Sequence, residues 1–252
     1  LSTDYKNNFS IDTNKLESLI TDNTKLFMIN SPNNPSGKYY DSKSLKDISD
    51  VLIKYNNIHI SSDDIYEHIH WNSEKFHNIL NVCPELKDRT MILNGVSKAY
   101  SMTGWRIGYA AGNAEIIKKM KTLQSQSTSC ASSISQAAAC SALTNICNEL
   151  PVMNNEYKKR HDYVVSELNK IQGVECKPTD GTFYVFPSFK DFIAKNKNIS
   201  NDTELALYIL EKAKVAVVPG SAFGIEDHIR ISIAIDMESL KEAMHRLNKL
   251  CS

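Results

Sequence analysis

Met91-Ile-Leu-Asn94-Gly95-Val96-Ser97-Lys98-Ala-Tyr-Ser-Met-Thr103-Gly104-Trp105-Arg106-Ile-Gly-Tyr-Ala-Ala111 reads as strand, small-residue turn and strand again. Residues 91–93 and 107–111 are short apolar runs of strand length, and the turn between them carries a lysine and an arginine. A lysine just after a strand, in a turn of small residues, is held partly away from water. Desolvation lowers an amine's pKa and leaves it neutral, ready to form a Schiff base with a carbonyl. Arg106 is read as the start of the next strand, where a guanidinium can fork onto a phosphate. A lone Ser-Lys pair would be an ordinary surface turn. The whole string through Gly104-Trp105-Arg106 argues against that reading.

Upstream, two more apolar runs at residues 26–29 and 58–60 end in polar turns, Asn30-Ser-Pro-Asn-Asn34-Pro-Ser-Gly37 and Ser61-Ser-Asp63-Asp64. Between them Leu45, Ile48, Val51, Leu52 and Tyr55 recur at helical spacing, behind Asp41 or Ser42 as cap. This order predicts an α/β fold: a mostly parallel sheet flanked by helices, followed by a smaller C-terminal α/β domain. Ligands of such sheets collect beyond the carboxyl ends of the strands. Asn34, Asp63 and Lys98 each follow a strand, so three strands aim polar groups at one rim.

Helices are expected over residues 114–124, 134–143 and 156–171, with a boundary where Asn and Pro cluster. We divide the chain into a large domain, 1–150, and a small domain, 151–252. The latter is read as strands at 183–186, 215–218 and 229–233, helices at 204–214 and 238–250, and a loop at 190–202.

Three further strings carry chemistry. In Asp63-Asp64-Ile65-Tyr66 a rim carboxylate can keep a ring nitrogen protonated, and a phenol three positions on can reach a ring oxygen. Alone, the string would equally serve as an acidic cap. The two prolines of residues 31–37 make a rigid turn that presents the Asn34 amide at a set angle, although an ordinary turn would look the same. In His228-Ile-Arg230-Ile-Ser232 an arginine on an alternating strand can clamp a carboxylate, or simply face water. The Gly-punctuated stretch at residues 217–224 could line a pocket. Glu67-His68-Ile-His70 lacks a third ligand, so no metal site is expected. Phe183-Tyr184-Val185-Phe186 reads as strand core.

Composition narrows the classes. Twenty-nine basic and 29 acidic residues cancel, leaving no electrostatic footprint for nucleic acid or an anionic membrane surface. No apolar run approaches a bilayer span. Six cysteines without a C-x-x-C pair read as free thiols of a reducing, cytoplasmic compartment.

Taken together the strings resemble the class I/II aminotransferases, fold type I pyridoxal-phosphate enzymes, with the likeness running from about Asn8 to the end. The bacterial aspartate aminotransferases look most alike, through Asn94-Gly-Val-Ser-Lys98-Ala-Tyr-Ser-Met-Thr-Gly-Trp-Arg106 and Ser62-Asp63-Asp-Ile-Tyr66-Glu-His68. The resemblance implies that pyridoxal 5'-phosphate is held on Lys98, which also shuttles the proton between substrate and cofactor. It implies that Asp63 pairs with the pyridine nitrogen and that Tyr66 and Asn34 bond its 3-oxygen. Arg106 then binds the phosphate with support from Ser97, Arg230 takes the substrate α-carboxylate, and Asn34 counts with Arg230 among the substrate-binding residues. Some relatives carry a hydroxyl where this chain has Gly95. The resemblance further implies an amino acid, aspartate favoured, and a 2-oxo acid as substrates of a homodimer. It implies too that family members have a segment ahead of the position matching Leu1. The large domain is then partial, and the segment would be supplied by a complementing chain or be lost by truncation.

Two other readings remain open at this level. One is a non-catalytic remnant that at most binds cofactor or a partner chain. The other is a β-lyase or decarboxylase on the same cofactor, because these motifs do not choose the fate of the carbanion.

Overall fold

Asn30 pairs with Asp63, Asp63 with Leu93 and Gly95 with Gly108 across four neighbouring strands. These strands, in a computed structural model that describes residues 1–145 and 147–251, are β1 (Leu26–Asn30), β2 (His59–Asp63), β3 (Thr90–Gly95) and β4 (Gly108–Ala111), in that order. The first three run parallel, and β4 is antiparallel to β3. The mostly parallel sheet expected from the sequence is therefore present. The carboxyl ends of β2 and β3 and the start of β4 share one rim.

Helices α1 (Thr13–Leu19), α2 (Ser42–Leu52) and α3 (Ile79–Val82) flank this sheet. Asp41 is the α2 cap, its carboxylate accepting the Ser44 N–H at 2.7 Å. The helix buries Leu45, Ile48, Val51 and Leu52 in one cluster with Leu16, Ile29, Ile60 and Leu86. The Arg89 guanidinium donates to the carbonyls of Leu52, Tyr55 and Ile58, tying the end of α2 and the segment between α2 and β2 to the residue that precedes β3.

Farther on come α4 (Ala114–Ser127), α5 (Ser133–Thr144) and α6 (Glu149–Leu168). The apolar stripe of α4 forms a helix as expected, but Ile116 and Ile117 are only half-buried and Leu123 is 75% exposed. Helix α6 starts earlier than the sequence suggested. It passes through Pro151, which its first turn tolerates because the N–H groups there have no helical partner.

The chain divides into two compact units. One comprises Leu1, Thr3–Pro32 and Tyr39–Val152; the other comprises Ser2, Asn33–Lys38 and the residues from Met153 onward. The second holds an antiparallel sheet of β5 (Tyr184–Val185), β6 (Val218–Pro219) and β7 (Ile229–Ser232), with β7 central. It also holds α7 (Lys190–Lys195), α8 (Asp202–Ala213) and α9 (Met237–Cys251). Its buried residues include Val164, Leu168, Phe189, Leu205, Ile209, Ile229, Ile231, Leu240 and Leu247. The expected loop at 190–202 contains α7, because Phe189 and Ile193, one helical turn apart, are both buried. The expected strand at 215–218 pairs only from Val218, since Lys214 ends α8 in the left-handed conformation and turns the chain off the ladder.

Candidate functional site

The turn after β3 is pinned on both sides of its lysine. Val96 and Ala99 are buried, at 0% and 3% exposure, while Ser97 and Lys98 between them are half-buried. Val96 packs with Ile107 and with Ala139 of α5. The Ser101 N–H donates to the Lys98 carbonyl at 3.2 Å and closes the turn. Lys98 thus stands on a hydrogen-bonded turn between two buried residues. Gly95 belongs to the same arrangement. A Cβ there would meet the Ile107 carbonyl oxygen at 2.8 Å and Ile65 Cδ1 at 3.0 Å, so the close approach of β4 requires glycine.

At the end of β2, strand alternation sends Asp63 and Asp64 to opposite sides. Asp64 is 2% exposed; it accepts from Ser62 Oγ at 2.7 Å and Asn78 Nδ2 at 3.0 Å. Burial lifts its pKa to about 6, against the pull of those two hydrogen bonds. It ties the strand end to the cap of α3, which Asn78 provides. Asp63 is half-buried, with Oδ1 accepting the Ile65 N–H at 3.2 Å. Burial raises its pKa, while that amide pulls it down. Tyr66, three residues on, is 3% exposed.

Arg106 differs from its sequence reading. It lies ahead of β4 rather than at its start, in the left-handed conformation (φ 55°) that ends the 3-10 turn Thr103–Trp105. It is exposed, and Nη1 donates to the Thr103 carbonyl at 3.0 Å. The ladder begins only at Gly108, where β4 reaches Gly95.

The second unit holds the other two candidates, Asn34 and Arg230. Arg230 Nη1 donates to Asn34 Oδ1 at 2.9 Å. The guanidinium carbon lies 4.4 Å from the Tyr184 ring centroid and 4.9 Å from that of Phe223. Two aromatic rings and an amide thus set the direction of one cation. The sequence reads Tyr184 as strand core and puts Phe223 in the Gly-punctuated stretch of residues 217–224, without linking either to Arg230. Tyr184 pairs with Ser232, so it shares a sheet face with Arg230 two residues away, and an antiparallel pairing of residues 184 and 232 would have revealed the contact. Of the two histidines of residues 67–70, His70 stacks on Tyr39 at 4.9 Å, and His68 meets Tyr100 edge-on at 6.0 Å.

The family model for aminotransferase class I and II matches residues 2–247. The chain belongs to that family. Among relatives of this aminotransferase chain, the aspartate/prephenate aminotransferase of Nitrosomonas europaea is 44% identical over 100% of the chain and 65% of the relative. A probable aspartate/prephenate aminotransferase of Rickettsia typhi is 47% identical over 98% of the chain and 63% of the relative. The crystal structure of the aspartate aminotransferase from Rhizobium meliloti superposes with a TM-score of 0.94 at 42% identity, covering 100% of the chain and 64% of that protein. The aromatic aminotransferase from Pyrococcus horikoshii gives 0.90 at 33% identity, over 98% and 65%. The chain thus spans under two thirds of the length of these relatives.

Class I and II aminotransferases use pyridoxal 5'-phosphate, act on amino acids and 2-oxo acids, and are typically dimeric. The donor set of this aminotransferase chain fits that cofactor. Asp63 is a carboxyl group whose burial leaves it in need of a cationic partner, which a protonated ring nitrogen supplies. A phenol, an amine and a guanidinium accompany it in the same unit, at Tyr66, Lys98 and Arg106. No described helix is long and apolar enough to cross a membrane.

Proposed function

We propose that these residues serve pyridoxal-phosphate-dependent transamination between aspartate and a 2-oxo acid. The observation that carries this reading is the shared rim: Asp63 ends β2, Lys98 follows β3, and Arg106 precedes β4. When bound, the cofactor supplies an electron sink for the carbanion formed at the substrate α-carbon. Lys98 Nζ holds the cofactor covalently and moves the proton at the substrate α-carbon. The Asp63 carboxylate holds the ring nitrogen protonated. Tyr66 and Asn34 hydrogen-bond the 3-oxygen, and Arg106, with Ser97, takes the phosphate. Arg230 receives the substrate α-carboxylate. Asn34 is held by Arg230, so the same amide would orient cofactor and substrate. The names of the relatives add prephenate as a 2-oxo acid to test. In this reading the enzyme is a cytoplasmic homodimer.

The test is borohydride reduction of the protein with pyridoxal 5'-phosphate, followed by mass analysis of the peptide containing residue 98. Cofactor mass fixed on Lys98, and lost in Lys98→Ala with the fold unchanged, is the expected result. Cofactor mass spread over surface lysines, with no preference for Lys98, overturns it.

A further inference from the structure

His161 lies on α6 with 1% exposure. Its Nε2 accepts the Thr179 N–H at 2.9 Å, and its Nδ1 stands 2.9 Å from Asp162 Oδ1. A nitrogen that accepts carries no proton. The ring proton of the neutral imidazole is therefore on Nδ1, donated to Asp162. The next two amides, of Asp180 and Gly181, both donate to the Gly37 carbonyl at 3.1 Å. Gly37 donates in turn to the Asn33 carbonyl at 2.7 Å, and Asn33 Oδ1 accepts from Ser36 Oγ at 2.8 Å. The turn that carries Asn34 is thus seated on residues 179–181. Tyr184, just downstream, lies against Arg230.

We propose that His161 is a positioning residue for the Arg230–Asn34 pair, acting as a neutral hydrogen-bond acceptor. The proposal rests on the reading of Arg230 as the carboxylate-binding residue. Protonation would set an Nε2–H against the Thr179 N–H, donor facing donor, and release the segment that seats Asn34. The charged groups around the ring are Asp162 and Lys158 on α6, which pair with each other, and Asp180 on the facing segment, 3.8 Å from Lys38. Burial pushes the His161 pKa below its ordinary value, although the Asp162 contact pulls it up. The neutral acceptor is the form the fold favours.

The experiment compares wild type, His161→Gln and His161→Phe as isotope-labelled chains, from about pH 8 to about pH 5, across the imidazole range. Gln places an acceptor where Nε2 stands and does not titrate. Phe keeps the ring without the acceptor. NMR signals of the Asn34 side-chain amide and the Arg230 guanidinium are followed, without cofactor, and maleate is titrated as a carboxylate probe. In wild type both signals should move with one midpoint, that of the His161 ring. In His161→Gln they should hold the neutral-form positions at every pH. In His161→Phe they should be displaced throughout, with maleate bound about three- to tenfold more weakly, as expected for loss of one hydrogen bond.

Asn34 and Arg230 signals unchanged in His161→Phe overturn the proposal. If that variant does not fold, a His161→Gln that retains the wild-type midpoint at Asn34 and Arg230 overturns it equally. Wild type that fails to bind maleate counts against the carboxylate role of Arg230, while the cofactor-free signals still decide the role of His161.

Discussion

Arg230 Nη1 donates to Asn34 Oδ1 at 2.9 Å, joining residues 196 positions apart. The amide fixes one edge of the guanidinium, and the rings of Tyr184 and Phe223 fix its plane. A carboxylate meeting a cation held in this way loses little freedom on both sides. Arg230→Ala should weaken maleate or aspartate binding by about 1.5–3 kcal/mol, the worth of a hydrogen bond to a charged group. Arg230→Lys should recover only part of it, because an ammonium cannot fork onto two oxygens. Calorimetry on the folded variants checks both, and unchanged affinity in Arg230→Ala removes that residue from substrate binding.

Tyr184 tests the aromatic support separately. Tyr184→Leu keeps an apolar side chain on the strand and removes the π face beneath Arg230. Carboxylate affinity should fall by about 0.5–2 kcal/mol, the range of a cation–π contact. Tyr184→Phe should stay near wild type. Equal losses in the two variants would assign the effect to the hydroxyl and not to the ring.

Gly95 marks where β4 crowds the lysine turn. Gly95→Ser would put a Cβ within 2.8 Å of the Ile107 carbonyl oxygen, a backbone atom that cannot rotate away. The expected cost is about 1–3 kcal/mol of stability, as for other overpacked sites. Capture of cofactor on Lys98 should fall as well, since the displaced strand borders its turn. Denaturant titration reads the first effect and borohydride trapping the second. A variant as stable as wild type would show that β4 gives way.

Asp64 and His161 predict stability slopes of opposite sign. The folded pKa of Asp64, about 6, lies above its ordinary 3.8, so the fold favours the neutral acid. Its contribution is fully present below about 3.8 and is lost as pH rises through about 6, a fall of about 3 kcal/mol at most. His161 is lowered from 6.5, so its contribution is present above that value and is lost as pH falls through the folded pKa. Asp64→Asn should flatten the loss of stability between about pH 4 and 6 and leave the imidazole slope in place. Unfolding midpoints taken across pH decide this, and an unchanged slope in Asp64→Asn would show that the carboxyl is not held neutral.

The rim was legible in the sequence because each strand there ends in polar residues, and alternation is a local signal. Asp63 and Lys98 are found from runs of a few residues. The Arg230–Asn34–Tyr184 arrangement was not legible, since it depends on a register between distant strands and on which unit the segment Asn33–Lys38 joins. His161 was silent for the same reason. On a charged helix it looks like a solvated residue until Thr179 is known to face it. The strand ends at residues 183–186 and 215–218 were overestimated because apolar, β-branched or aromatic content marks burial, and ladder pairing is a separate condition.

Gly37 is where the turn carrying Asn34 meets its seat, and it tests that relationship most directly. Its φ of +67° is strained for any L residue, and an added Cβ would stand 2.5 Å from Thr179 Cβ and 2.8 Å from the Gly181 carbonyl oxygen. Gly37→Ala therefore meets two costs: a backbone penalty of about 1 kcal/mol and a steric one that only separation of the turn from residues 179–181 relieves. The Asp180 and Gly181 amides, which donate to the Gly37 carbonyl, would then lose their acceptor. Their hydrogen exchange should accelerate at least about tenfold, the equivalent of about 1.4 kcal/mol. Amides in the middle of α9, which take no part in the turn, should exchange as in wild type. Carboxylate affinity should drop together with the protection of Asp180 and Gly181, because Asn34 is carried on the same turn. Lost protection with full affinity would mean that Asn34 keeps its hold on Arg230 without this seat, and the positional chain from residue 179 to Arg230 would be broken at Gly37.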